Sequence, residues 1–204
     1  MAIRVRNRFH TAGQRSMATL ASVVALTAWK LALESIKRMR RADFDIDIGQ
    51  AYFDFVCEFL AFLAHVADRV AYARLTPEQR VEFTMALVKR LSEHVAESSD
   101  ALLGPGEAER CRRQFLDVFN RAGEGYSEFG YDADGEGPDF GFRRYFGACL
   151  REILPQKDQL WVIDQAMDIE APDAIEALHK TMKGLFAPPG EERPRRSREG
   201  VSGD

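Results

Sequence analysis

Apolar residues recur along most of this chain at spacings of three and four, which is the period of helices packed on one face. Residues 16–41 predict a first helix, with Ser16 as N-cap and Leu20, Val23, Val24, Leu26, Leu31 and Leu33 only loosely one-sided. Residues 48–75 predict a second helix, the most apolar of all, with bulky side chains on nearly every side from Tyr52 to Val70. Such a segment belongs at the centre of a bundle. Thr76-Pro77-Glu78-Gln79 follows at once. Threonine caps, proline takes the first helical position and glutamine closes a capping box. Helices two and three therefore fold back as an antiparallel hairpin. Val81, Met85, Val88, Leu91 and Val95 predict the inner face of helix three, which stops at Gly104-Pro105-Gly106.

A fourth helix is expected over 107–121, then a glycine-rich acidic loop over 123–137. Phe142, Tyr145, Phe146, Leu150 and Ile153 mark a fifth helix, and two short ones are expected over 157–169 and 172–186. No β-branched alternation predicts a sheet. The expected fold is all-α: an irregular helical bundle of about five to seven helices built on a long antiparallel hairpin. Residues 1–15 read as a basic arm, 16–186 as one domain and 187–204 as a disordered tail without apolar periodicity.

Composition fits this frame: 204 residues with 46% hydrophobic and 29% charged side chains can bury one good core. Charge is unevenly spread. Residues 1–42 hold nine basic side chains and one acidic, Glu34, while the rest hold 19 basic and 31 acidic. Lys37, Arg38, Arg40 and Arg41 suit the negative end of helix one, and the acids Asp43, Asp45 and Asp47 are expected to pair with them locally. An acidic body argues against nucleic acid as a partner. Arg4, Arg6, Arg8 and Arg15 ahead of the uncharged run from Met17 to Trp29 offer a membrane or anion contact, and resemble the start of a secretory signal. Against a signal, the run is short, Leu26 stands where a small residue is wanted, and the helix continues unbroken. Met17 offers an alternative start. Cys57, Cys111 and Cys149 are far apart and form neither a disulfide nor a zinc framework, so the expected compartment is the cytoplasm.

Two constellations carry candidate chemistry. At about 100° per residue, Asp54, His65, Arg69 and Tyr72 all fall within about 40° of Glu58 on helix two. Asp54, Glu58 and His65 are the candidate ligands of a divalent metal in a ferritin-like carboxylate/His site. Glu34, Glu93, His94 and Glu97 are the obvious further donors. The Glu-x-x-His tetrapeptide of such sites does not occur, and Glu58 and His65 lie about 10.5 Å apart along the axis. The competing expectation is a row of structural pairs between helices, with Asp68 orienting His65 or pairing with Arg69 or Arg74. The second constellation is Asp132, Asp134 and Glu136, which with Gly137 match the opening of an EF-hand calcium loop until Arg143 falls where its closing glutamate belongs.

No nucleophile stands beside either constellation, so no catalytic residue and no cofactor is expected, the divalent metal being the alternative. The leading expectation is a non-catalytic protein-interaction or self-associating module with a protein partner or a second copy. Metal binding and peripheral membrane association through the basic arm are the alternatives. The surplus of aromatics, among them Phe140, Phe142, Tyr145 and Phe146, serves the core or an apolar groove for a partner.

Overall fold

The computed structural model describes residues 16–187. The basic arm with Arg4, Arg6, Arg8 and Arg15, and all but the first residue of the expected tail, lie outside the described residues. The fold is an all-α bundle: α1 (Met17–Arg41), α2 (Gln50–Tyr72), α3 (Pro77–Leu103), α4 (Ala108–Ser127), α5 (Phe140–Ile153), α6 (Val162–Gln165) and α7 (Ala171–Phe186). A two-residue pair, β1 (Tyr131–Asp132) with β2 (Gly137–Pro138), is the one departure from the expected absence of strands among the described residues.

The helix boundaries follow local chemistry. Ser16 Oγ accepts from the Thr19 N–H at 3.2 Å. Thr76 and Gln79 close the capping box in both directions, at 3.3 and 3.2 Å, and turn α3 back along α2. The end of α1 is a Schellman motif with aspartate in glycine's usual place. Asp43 sits at φ 63°, its N–H bonds to Arg40 O at 3.2 Å, and the Phe44 N–H reaches Met39 O at 3.1 Å. Aspartate tolerates this left-handed backbone better than most residues.

α2 is the centre. Fifteen of its 23 residues are buried, and α1, α3, α4, α5 and α7 all pack on it. Phe62 stacks on Phe146 at 4.2 Å between ring centroids, and Phe59 meets Phe146 edge-on at 5.3 Å. Such pairs add about 0.5–1.5 kcal/mol each beyond their burial.

Several expectations are corrected. The inner face of α3 is Phe83, Leu87, Leu91 and Val95, whereas Val81 and Met85 are exposed. The rotation of α3 is fixed by Asp68 on α2, which takes Arg80 Nε at 2.9 Å and Thr84 Oγ1 at 2.7 Å. Asp68 therefore serves α3, not His65, Arg69 or Arg74. The acids after α1 do not pair with its basic end. Asp45 pairs with Lys157 at 2.8 Å, and Arg38 crosses to the fully buried Glu170 at 2.6 Å. The helix dipole explains why cations sit there, but tertiary partners decide where they point.

α4 also runs six residues further than expected, through Gly123 and Gly125. Both glycines lie within the helix, and neighbouring side chains press on the space a Cβ would take. That position at Gly123 lies 3.1 Å from His65 Cε1, and that at Gly125 overlaps the Tyr145 ring. At the other end, α6 and α7 are joined by a π-helical turn, Ala166–Glu170, in which the Ala171 N–H bonds to Ala166 O. Pro172 supplies no N–H to the Asp168 carbonyl and its ring crowds that oxygen, so the ladder shifts register just before it.

Removing the α3 cap should be felt without changing the fold. Thr76→Ala is expected to cost about 1 kcal/mol in urea denaturation, with an unchanged far-ultraviolet circular dichroism spectrum.

Candidate functional site

The polar strip of α2 faces α4, which runs alongside it in the same direction. Asp54 Oδ1 accepts from Gln114 Nε2 at 2.6 Å and from Gln50 Nε2 at 2.6 Å. Glu58, 6% exposed, is paired with Arg121. His65 Nε2 lies 3.0 Å from Phe119 O, and its ring is stacked on Phe119 at 4.4 Å. A carbonyl only accepts, so Nε2 carries the hydrogen. Arg69 donates to Tyr126 O at 3.0 Å and to Phe129 O at 3.4 Å, satisfying carbonyls at the end of α4. Tyr72 is exposed, with Arg80 over its ring at 5.0 Å.

Asp54, Glu58 and His65 are thus held by separate partners. Among the described residues, no three His, Cys, Asp or Glu side chains gather where a metal ion would sit. The further donors lie elsewhere: Glu34 pairs with Lys37, Glu93 with Arg90, and His94 approaches Glu97 at 3.6 Å beside Trp29. The electrostatics match a structural seam. Burial raises the Glu58 carboxyl above its ordinary 4.5, opposed by Arg121. Burial lowers His65 below 6.5, opposed by the bond to Phe119.

The acidic hairpin is tied up in its own folding. Asp132 Oδ1 accepts from the N–H groups of Asp134 and Gly135 at 3.1 and 2.9 Å, closing the turn. Asp134 pairs with Arg74 at 2.9 Å, and Glu136 is exposed on the turn. Arg143, at the would-be closing position of a calcium loop, sits on α5. This hairpin walls a cleft of about 940 Å³ with Phe140, Arg143, Pro172, Ile175 and His179. At its floor, the Tyr131 hydroxyl is hydrogen-bonded to His179 Nε2. Burial raises the tyrosine and lowers the histidine, whose neutral form Arg74 also favours. The sequence offered no signal for this pair, whose members are 48 residues apart.

A second groove, of about 490 Å³, lies between the α1–α2 connection and the stretch from Asp158 to Ile169. The Schellman turn places Asp43 and Phe44 on one wall. Trp161, Asp164, Gln165, Asp168 and Ile169 form the other, and Asp158 joins the walls by accepting from the Asp45 N–H at 2.7 Å. Trp161 is 67% exposed, Leu160 beside it 79% and Ile169 44%. Asp43, Asp164 and Asp168 are exposed and have no ion pair among the described residues. Trp161 lies inside the helix expected over 157–169, but the α-helix begins only at Val162 and leaves Trp161 exposed ahead of it. α1, by length and composition alone, is apolar enough to cross a membrane, with a third of its most apolar stretch buried.

Two predictions test the seam. Arg121→Met leaves Glu58 buried without its partner. Since Arg121 is half exposed, the cost at pH 7 is expected to be about 1–3 kcal/mol. The raised carboxyl keeps its proton to higher pH in the folded chain than in the unfolded one, so the cost shrinks as pH falls towards 4.5, and Glu58→Gln in the same chain recovers most of it. Urea denaturation of the two variants and the unsubstituted chain at pH 7 and 5 reads this.

The histidines work in the opposite direction. His65, His94 and His179 are all lowered, burial first among the causes. The unfolded chain takes up their protons first, so stability present above pH 6.5 is lost as pH falls below it. His65→Gln, which retains a donor for Phe119 O, is expected to flatten the slope of unfolding free energy between pH 7 and 5. Comparison with protein-family models, with curated proteins and with solved structures gives no match.

Proposed function

We propose that this chain is a non-catalytic protein-interaction module that docks a protein in the groove beside Trp161. One observation carries this reading: the exposed cluster of Leu160, Trp161 and Ile169 borders a groove whose wall includes the half-buried Phe44. Grouped exposed apolar side chains mark contact surfaces, and tryptophan is the residue most enriched at their energetic centres. The ionisable groups of α2 are held by structural partners on α4, so they support architecture better than proton transfer. The larger cleft is the weaker choice, because Tyr131, His179, Asp132 and Asp139 in its lining are engaged with one another or with the backbone.

A photo-crosslinking amino acid placed at Trp161 in cells is expected to give a discrete protein adduct. The same group at exposed Glu109 on α4 should give none, and Ile169→Asp should abolish the Trp161 adduct. An adduct of twice the chain mass would identify a second copy as the docked protein. Equal labelling from both positions, or none from Trp161, would remove this reading.

A further inference from the structure

From that docking reading, on which this step rests, we infer that the groove takes an arginine-rich segment of the partner protein. Three carboxylates, Asp43, Asp164 and Asp168, face solvent around it without an ion pair among the described residues, and no lysine, arginine or histidine lines it. Asp164 and Asp168 are four positions apart across the α6–π junction, a spacing at which like charges repel on a helix. A guanidinium between them relieves that repulsion and meets each carboxylate with paired N–H donors.

Arginine fits better than lysine for a second reason. The Trp161 ring is two-thirds exposed, and a planar cation stacks on an indole face more favourably than a hydrated ammonium. The methylene stems of the same side chains cover Phe44 and Ile169. Residues 16–187 carry 28 acidic and 20 basic side chains, so the net field of the described residues also favours a cationic segment.

The test is fluorescence anisotropy of labelled hexa-arginine titrated with the full chain at low salt. Binding is expected, weakened at least tenfold by Asp164→Asn with Asp168→Asn, and by Trp161→Ala. Hexa-lysine should bind less tightly. Glu107→Gln with Glu109→Gln, which removes the same charge at the start of α4, should leave the affinity unchanged. No binding, or equal losses from the groove and α4 variants, would overturn the inference, even while crosslinking at Trp161 upheld the docking surface. The chain carries its own arginines at 193, 195, 196 and 198. Tighter peptide binding after R193S, R195S, R196S and R198S together would hand the groove to that segment and overturn its assignment to a partner. Unchanged binding would support the assignment.

Discussion

α2 has almost no side that faces water. Five helices enclose it, and its phenylalanines meet those of α5 ring to ring. Burial on this scale supplies the main driving force for the fold. It also constrains every polar residue on the same helix. A charge or an imidazole carried into such surroundings must bring its partner or lose several kcal/mol to desolvation. The strip from Asp54 to Arg69 therefore pairs with α4 residue by residue: glutamine for Asp54, arginine for Glu58, and backbone carbonyls for His65 and Arg69.

This requirement reaches into α4. A Cβ at Gly123 would crowd the His65 ring at 3.1 Å and push it by a few tenths of an ångström, whereas one at Gly125 would overlap the Tyr145 ring outright. The two glycines, weak helix formers by themselves, are retained in a helix because neighbouring helices fill the space above them. The same logic places Glu170, a carboxylate without solvent contact, against Arg38 from the far end of α1. Polar pairs of this kind set the rotation of each helix about its axis, which a greasy interface alone leaves loosely defined.

Much of the architecture was legible in the sequence, because its signals are local. Ser16, the Thr76 capping box and Gly104 mark boundaries by bonds made within a few residues. The all-α class and the central position of α2 follow from periodicity. What escaped was long-range. The first turns of α3 carry two apolar sets offset by two residues, which merge at Leu91 and Val95, and the Asp68 anchor on α2 fits the rotation that buries Phe83 and leaves Val81 exposed. Gly123 and Gly125 read as loop because the side chains that fill their space come from α2 and α5. The polar strip on α2 was visible as a strip, but its partners are spread over α4 and the residues just past it and include three carbonyls, which no side-chain pattern discloses. The groove beside Trp161 is assembled from segments more than a hundred residues apart, joined through Asp158 and the Asp45 N–H.

The π turn at Ala166–Glu170 sets the phase of everything that follows it. One residue too many in a turn advances a helix by about 100° relative to an uninterrupted one. Leu178 and Met182 reach the core, and His179 reaches the hairpin, with that offset included. The wide turn absorbs one residue, and the packing of α7 depends on its staying wide. Closing it into regular α-helix with no residue removed would swing the inward-facing stripe of α7 towards solvent and detach the hairpin from its histidine, whereas removing one residue along with the wide turn would keep the phase.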